Sequence, residues 1–568
     1  MARLIKRTAG DQLSSKLLFA MAALCLAALI ILAFISDQTI LVWVIRLYSL
    51  DGVISPEGRQ LIQVLLSRAR MASMAGAGLG LGAGFMLWYA ENRMRRINQS
   101  QLNRLPGIEE RDRAGVILWA SVAVLCATRL AIGSVHLGDS LWHDELSTIQ
   151  HYGARSLGEI LGLNGKSNVN NHVLNSLLLR LSVAFGWTSE EGMRVWNFLA
   201  SALTIPAAYY LGRVIKLRRM SLFALLSLIA TSPVVDFFGE QARGYGLAIF
   251  LATLSLSLHL DCFRRPGRSR FIALHAVNVA LILANLFTLP LVCGQIAHLL
   301  IEAVYPNPDA RLHGYTAYQR HVFSLVSSVI FAVALHAFLI PTYLYDSMIH
   351  TSKGPFNVST AMRMLSAALT PYGSVAIGAV VLIALIGYAF ARVNVESGRR
   401  VKIALLAIIL SGVGAGILAK VYELRAFAYL HVPVAAILVI CADRLSRRNH
   451  LTASVTLASA AAFCFWGAYT AVNRLPIQDY RGTIRAAERL AHGRLIWTSG
   501  LEGESLKHYA QDAPVLTSLP RQPSLYLSLF DDLANDETRN AVKKNCQVAE
   551  RVPSQVSIVI YRCGRFDR

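Results

Sequence analysis

The sequence has 568 residues, of which 54% are hydrophobic and 16% are charged, and its mean hydropathy is +0.46. A soluble protein could not bury so much apolar surface, and many apolar runs are long enough to cross a bilayer, so we predict a polytopic α-helical membrane protein. The formal net charge of +21 does not indicate nucleic-acid binding, because the Arg and Lys residues cluster in short stretches between the apolar runs, as they do in cytoplasmic loops. The sequence contains no Gly-rich phosphate loop of the Walker type, which argues against an ATPase module.

Residues 1–113 are predicted to form an N-terminal extension of two spans followed by a cytoplasmic loop. Residues 17–35 and 71–90 are apolar, and basic residues lie before the first run and behind the second, on the predicted inner side. Residues 114–133 then cross outward. This topology places the polar stretch that follows, residues 138–148, at the outer face of the membrane.

That polar stretch contains two adjacent carboxylates, Asp144 and Glu145, flanked by Trp142 and His143. A carboxylate at a half-dry interface can act as a general base, because partial desolvation raises its proton affinity. A pair of carboxylates can also bind a divalent cation through its oxygens, and acidic residues are favoured in the first turn of any helix. These residues alone leave all three interpretations open.

Residues 134–191 are predicted to form a long external loop. Its apolar segment, residues 173–187, is interrupted by Arg180, which indicates a helix lying in the membrane interface rather than a span. The later spans are predicted at residues 192–211, 221–238, 246–262, 271–304 (two helices with a break near 285–290), 321–343, 372–390, 401–418, 426–442 and 451–472.

The total is thirteen spans, with the N-terminus inside, the C-terminus outside and every basic cluster on the inner side. Two short external turns follow from this topology. The first carries Glu240, Arg243 and Tyr245, and the second carries Tyr422 and Arg425.

Residues 473–568 have ordinary polarity and combine a helical segment, 480–491, with β-like runs at 494–498 and 556–561. We predict a small extracytoplasmic α/β domain there, behind a transmembrane module of residues 114–472. Cys546 and Cys563 lie in this domain and are expected to form a disulfide, because an oxidising compartment favours one.

The external charged groups are few, and they are predicted at one depth on one face: Asp144, His172, the turn at 240–245 and the turn at 422–425. A carboxylate base together with separate arginines indicates a substrate whose leaving group is a phosphate, since Arg binds phosphate oxygens in bidentate fashion and stabilises the charge as the bond breaks. Because no nucleotide-binding fold is evident, the activated donor is expected to be a lipid phosphate reached from the bilayer.

Four stretches of the chain resemble motifs of a known family. They are Leu141-Trp142-His143-Asp144-Glu145, the segment from Asn170-Asn171-His172 to Leu181, the turn Phe238-Gly239-Glu240-Gln241-Ala242-Arg243-Gly244-Tyr245, and Asp479-Tyr480-Arg481-Gly482-Thr483. In order and predicted side they resemble the GT-C membrane glycosyltransferases, in particular the protein O-mannosyltransferase and lipid A aminoarabinose transferase branch. Val173 departs from this pattern, in which a Pro follows the His.

The resemblance implies an inverting glycosyltransferase of the bacterial inner membrane, with its site facing the periplasm. A polyprenyl-phosphate-linked sugar would be the donor, and a lipid, a glycan or a protein the acceptor; no nucleic acid is implied. Asp144 would be the catalytic base with Glu145 supporting it. The residues expected to contact substrate are Asn171, His172, Glu240, Arg243, Tyr245, Tyr422 and Arg425.

No cofactor is predicted, although the pair of Asp144 and Glu145 leaves a divalent cation open. Two alternatives also remain at this stage. A flippase for a lipid-linked sugar would use the same basic cavity without turnover, although the sequence shows no inverted repeat. A ligase or polymerase of surface polysaccharide would still transfer a sugar, but to a glycan acceptor.

Overall fold

A computed structural model describes residues 113–564 with gaps, the longest of which are 340–356, 305–314 and 163–170. The predicted spans at 17–35 and 71–90, as well as Tyr422, lie outside the described residues. The helices are α1 Arg113–Ser134, α2 His143–Thr148, α3 Leu157–Ile160, α4 Val173–Ala184, α5 Glu190–Val214, α6 Arg219–Ala230, α7 Pro233–Gly239, α8 Tyr245–Arg264, α9 Arg268–Ala284, α10 Leu289–Val304, α11 Tyr315–His336, α12 Val358–Ser366, α13 Val375–Phe390, α14 Glu396–Ala419, α15 His431–Ser446, α16 His450–Val472, α17 Tyr480–Ala491 and α18 Asp536–Asn545.

The mostly helical architecture confirms the predicted class of multi-pass membrane protein. Within the described ranges, five helical segments are long and apolar enough to cross a membrane: Tyr245–Arg264, Leu286–Val304, Ala317–His336, Gly398–Ile417 and Leu424–Arg444. A sixth results if the bent pair α6 and α7 is counted as one span. Four shorter apolar helical stretches accompany them, among them Val173–Ala184, for which the sequence predicted an interfacial helix.

Two of the predicted helical runs are broken, and the sequence gives a reason for each break. At 271–304, as expected, α9 ends at Ala284 and the Asn285 side chain accepts a hydrogen bond from the backbone N–H of Phe287, at the start of a 3₁₀ turn. The run at 221–238 was expected to be one helix, but α6 and α7 meet at an angle of 42°. There Ser232 caps α7 and Pro233 occupies its first turn, where the missing N–H costs nothing.

One large apolar core joins the transmembrane helices. Helix α8 packs on α5 and α9, and α10 packs on α14. Helices α10 and α14 lie close together at Gly294. A Cβ there would come within 2.6 Å of the Cα of Ile408, so only glycine permits this separation. Helix α12 packs against α13, which follows it in sequence.

The C-terminal region contains a mixed five-stranded sheet, as the α/β prediction required. Its strands are β1 Leu495–Thr498, β2 Val515–Leu516, β3 Ser524–Ser528, β4 Cys546–Val552 and β5 Ile558–Cys563. The order is β2-β1-β3-β5-β4; β1 runs parallel to β2 and β3, while β5 is antiparallel to both β3 and β4. Cys546 and Cys563 are directly opposite each other on β4 and β5 and form the predicted disulfide.

Candidate active site

Asp144 lies in the short helix α2, and two arginines from distant parts of the chain contact its carboxylate. Arg243, in the turn between α7 and α8, donates through Nη1 to Oδ2 of Asp144, and Arg425 donates through Nη1 to the same oxygen at 2.6 Å. The side chain of Arg243 is 2% exposed, that of Asp144 18% and that of Arg425 32%, so the cluster is accessible from the side of Arg425. The structure therefore brings together one residue from each of three predicted external segments.

The neighbouring charges set the ionisation of Asp144. Burial raises the pKa of its carboxyl, but the guanidiniums of Arg243 and Arg425 lower it, and the net result is a pKa below the usual range for an aspartate. Asp144 is consequently ionised at neutral pH, and its negative charge occupies the place where two cations converge.

His172 precedes α4 and is buried beside this cluster. Burial lowers the pKa of its imidazole well below the usual value, and the positive charges of Arg243 and Arg425 lower it further. Its Nε2 atom is buried without a hydrogen-bond partner among the described residues. His172 is thus a neutral ring that can donate or accept one hydrogen bond next to two fixed cations.

Aromatic rings hold the guanidinium of Arg243 in place. Its Cζ atom lies 5.5 Å from the ring centre of Trp142 and 5.1 Å from that of Tyr245, which are cation–π distances. Tyr245 is buried and meets the ring of His172 edge-on at 5.1 Å. Tyr245, which was predicted to contact substrate, therefore packs between Arg243 and His172.

Glu145 differs sharply from its neighbour Asp144, because it is fully buried and both of its oxygens are occupied. Arg194 of α5 binds it in bidentate fashion, with Nε at 3.0 Å and Nη2 at 2.7 Å. The backbone N–H of Ala242 donates to Oε1 at 2.6 Å and that of Trp142 to Oε2 at 3.1 Å. The expected supporting carboxylate is thus a structural link between α2, α5 and the turn that carries Arg243.

The turn of Arg243 is fixed from several sides. Asn175 of α4 donates to the carbonyl of Ala242 at 3.0 Å and accepts a hydrogen bond from Asn197 of α5 at 2.7 Å. A Cβ at Gly244 would overlap the carbonyl oxygen of Ala284 at the end of α9. A side chain at this position would therefore push the turn away from α9.

Glu240 was expected to contact substrate, and in the structure its carboxylate is paired with two arginines. Its Oε1 accepts a hydrogen bond from Arg129 of α1 at 3.3 Å, and its Oε2 is paired with Arg474, just beyond α16. Asp236 of α7 pairs with the same two arginines. Two buried acids thus neutralise two buried arginines and join α1, α7 and the chain that follows α16.

Asn171 also contributes to structure. Its amide donates to the carbonyl of Ile160 at 2.7 Å and its oxygen accepts from the hydroxyl of Ser176 at 2.9 Å, which ties α3 to α4. Among the predicted substrate contacts that the structure describes, His172, Arg243 and Arg425 bring polar groups to the Asp144 cluster.

Sequence reasoning missed Arg194, Arg129 and Asp236. A signal was available for Arg129 and Asp236, because each is an ionisable residue inside an apolar run, and such residues usually face one another or a functional site. Arg194 gave a weaker signal, since it stands at the start of the predicted span 192–211, where a charge at the membrane boundary is ordinary.

The divalent cation that the sequence left open can be examined at the carboxylates themselves. Both carboxylate oxygens of Glu145 accept hydrogen bonds from Arg194 and from backbone N–H groups, so they do not converge with the carboxylate of Asp144 on one point. Across the part of the chain that the structure describes, no group of three or more His, Cys, Asp and Glu side chains is arranged to hold a metal ion.

No protein-family model matches the chain, and no curated protein matches it. Several solved structures do. ArnT from Cupriavidus metallidurans in the apo state is 11% identical, with 79% of this chain and 98% of that chain covered and a TM-score of 0.45. The oligosaccharyltransferase AglB from Archaeoglobus fulgidus, in complex with an inhibitory peptide and a dolichol-phosphate, is 13% identical, with 71% and 65% covered and a TM-score of 0.39.

The arabinofuranosyltransferase AftD from Mycobacteria is 14% identical, with 82% of this chain and 41% of that chain covered and a TM-score of 0.37. This chain thus spans less than two thirds of AglB and of AftD. All three are GT-C glycosyltransferases, the superfamily whose motifs the sequence resembles.

Proposed function

We propose that this protein is an inverting membrane glycosyltransferase that moves a sugar from a polyprenyl-phosphate donor to a lipid, glycan or protein acceptor. The observation that carries the proposal is the meeting of Asp144 with Arg243 and Arg425 in a cluster that is partly exposed at Arg425. The carboxylate can deprotonate the acceptor, and the two guanidiniums can stabilise the phosphate that leaves.

The arginines provide for the leaving group. A guanidinium offers paired N–H donors that match phosphate oxygens, and two of them stabilise the negative charge that grows as the bond between the sugar and the phosphate breaks. Arg243 is held rigidly by Trp142 and Tyr245, so its position costs little reorganisation during reaction. His172 supplies one further neutral hydrogen bond beside these cations.

Asp144 provides for the acceptor. Its carboxylate takes the proton of an acceptor hydroxyl or amine while the acceptor atom bonds to the anomeric carbon, and the electron pair of the broken carbon–oxygen bond leaves with the phosphate. Attack opposite to the leaving group inverts the anomeric centre. A phosphate bound by Arg243 and Arg425 also neutralises the field that depresses the pKa of Asp144, so the donor itself raises the basicity of the carboxylate.

The site is proposed to face the periplasm, in a chain of thirteen spans in the bacterial inner membrane. The disulfide between Cys546 and Cys563 supports an oxidising compartment for the C-terminal sheet. Since this sheet contacts the segment that carries Asp144, both belong on the same side. Cysteine-accessibility labelling at Ser147 and at the exposed Gln522, just before β3, should report the same sidedness, and opposite labelling would contradict this topology.

The test is a transfer assay with a polyprenyl-phosphate-sugar donor and purified full-length variants. We expect Asp144→Asn to lower turnover by roughly 100-fold or more, because it removes the base and keeps the size. The matched control is Glu159→Gln, which alters a carboxylate of the same loop whose partners among the described residues are Arg155 and Ser156, and which should leave turnover unchanged.

Near-normal transfer by Asp144→Asn would end the catalytic assignment. Movement of the intact lipid-linked sugar across the bilayer without any transfer would instead indicate the flippase alternative. A polysaccharide ligase or polymerase would show transfer to a glycan acceptor alone.

A further inference from the structure

The segment that carries Asp144 is built into the core of the C-terminal sheet region. Leu141 is 3% exposed and Leu146 is 1% exposed, and together they flank the carboxylate in sequence. Both belong to the apolar cluster formed by α17 and the sheet, whose other buried members include Tyr480, Ile484, Ala487, Leu506, Leu525 and Ile560. Asp144 therefore lies in sequence between Leu141 and Leu146, whose side chains are buried in the region after α16.

Backbone hydrogen bonds continue this attachment. The N–H of Leu141 donates to the hydroxyl of Tyr509 at 2.7 Å, and the N–H of His143 donates to Oε1 of Gln478 at 2.9 Å. His143 is the first residue of α2, where helix N–H groups have no partner within the helix. The residue before it, Trp142, carries only a donor in its side chain, so it cannot cap the helix. Gln478 supplies the missing acceptor from 335 positions away in sequence.

A polar seam lies directly beside these bonds. The hydroxyl of Ser140 donates to Asp479 at 3.1 Å and accepts from the backbone N–H of Arg481 at 3.1 Å. The guanidinium of Arg481 pairs with Glu190 at the start of α5. The segment of residues 138–148 is thus bonded to the C-terminal region on one side, while Glu145 bonds it to Arg194 on the other.

We propose that Gln478 and Tyr509 are positioning residues of the active site, and that the C-terminal region sets the direction in which Asp144 points relative to Arg243 and Arg425. This inference rests on the proposed role of Asp144 as the base. A misplacement of a catalytic group by about 1 Å can cost on the order of 100-fold in rate. Loss of either acceptor should accordingly reduce turnover although neither residue contacts Asp144 itself.

The attachment can be measured without any activity. Gln478→Met and Tyr509→Phe each remove one acceptor at nearly constant volume, and Thr498→Val is the matched control, because its hydroxyl donates to Leu527 inside the same sheet. In hydrogen exchange of the full-length protein, the first two variants should speed exchange in residues 138–148 by roughly 10-fold, whereas Thr498→Val should not. Unchanged exchange in both acceptor variants would overturn the inference.

The catalytic consequence is tested by separating turnover from donor binding. In Gln478→Met and Tyr509→Phe we expect kcat to fall about 10-fold while the donor Kd does not rise, since the arginines that bind the phosphate remain. An equal loss of kcat in Thr498→Val would attribute the effect to sheet stability and would contradict positioning.

A double-mutant cycle distinguishes this inference from the proposed function. If Gln478 acts through Asp144, Gln478→Met should cost little further turnover in the Asp144→Asn background. Additive losses would overturn the positioning role and leave the base assignment intact. Normal turnover of Asp144→Asn alone would remove the proposed function first, and the inference with it.

Discussion

Asp144→Asn should change donor binding and turnover in opposite directions. In the structure the carboxylate of Asp144 and an incoming phosphate compete for the same two guanidiniums, those of Arg243 and Arg425. The amide of asparagine keeps the shape and one acceptor oxygen but removes the negative charge. The variant should therefore bind the phosphate of the donor at least as tightly as the parent protein while it fails to deprotonate the acceptor.

The magnitude follows from the exposure of the two ion pairs. Asp144 and Arg425 are 18% and 32% exposed, and pairs that are screened by solvent to this degree contribute about 0–1 kcal/mol each. The pair with Arg243 lies at the upper end of that range, because Arg243 is 2% exposed. Release of both pairs amounts to about 1–2 kcal/mol, which corresponds to a donor Kd lower by roughly 5- to 30-fold. Turnover should fall by roughly 100-fold or more.

The assay pairs equilibrium binding of a short-chain, water-soluble prenyl-phosphate sugar with single-turnover transfer by the same preparations. Glu159→Gln serves as the control for the loss of a carboxylate elsewhere in the loop and should match the parent protein in both measurements. Weaker donor binding by Asp144→Asn would refute the competition, because it would mean that the carboxylate helps to hold the donor instead of occupying its place.

Three further outcomes follow from the same contacts. Arg243→Lys should weaken donor binding by about 10-fold or more, since a point charge cannot reproduce the paired donors or the packing between two rings; normal binding would remove Arg243 from the phosphate site. Gly244→Ala should lower the yield of folded protein or abolish transfer, because its Cβ would overlap a carbonyl of the facing helix α9, whereas Gly387→Ala, which meets nothing within 4 Å, should behave as the parent. In the pH profile of kcat/KM, which reports the free enzyme, the acid limb should lie below the usual range for an aspartate and should move upward in Arg425→Ala, because this variant lacks one of the charges that lower the pKa of Asp144; a fixed limb would mean that another group controls it.

Much of this arrangement could be predicted because topology alone limits where charges can lie. The distribution of basic clusters predicts that Asp144, Arg243 and Arg425 share one boundary of the membrane, and the structure places their side chains in contact. The break at Asn285 could also be predicted, since the apolar run of residues 271–304 is longer than one span and Asn is a good cap for the helix that follows. The pairing of Cys546 with Cys563 needed only the expectation of an external sheet.

The division of labour between Asp144 and Glu145 could not be predicted from adjacency. Successive residues on an α-helix project about 100° apart, so two neighbouring carboxylates face different surroundings. Which of them faces the open side depends on the position of Arg194, and that position is set by the packing of α5, not by any local pattern. The same reason hid the partners of Glu240, because they come from α1 and from the chain beyond α16.

The burial of Glu145 also explains why a charged cluster is tolerated at this depth. A buried carboxylate is costly unless it is paired and hydrogen-bonded, and Glu145 meets that condition through Arg194 and two backbone N–H groups. These two N–H groups belong to Trp142 and Ala242, which are close in sequence to Asp144 and Arg243. The contacts that offset the desolvation cost of Glu145 therefore also fix the positions of Asp144 and Arg243. Asp144 and Arg243 are thus held from the side of Glu145, while Arg425 completes their ion-pair cluster on its more exposed side. The acidic pair thus acts through two different environments, with one carboxylate holding the site together and the other left accessible for chemistry.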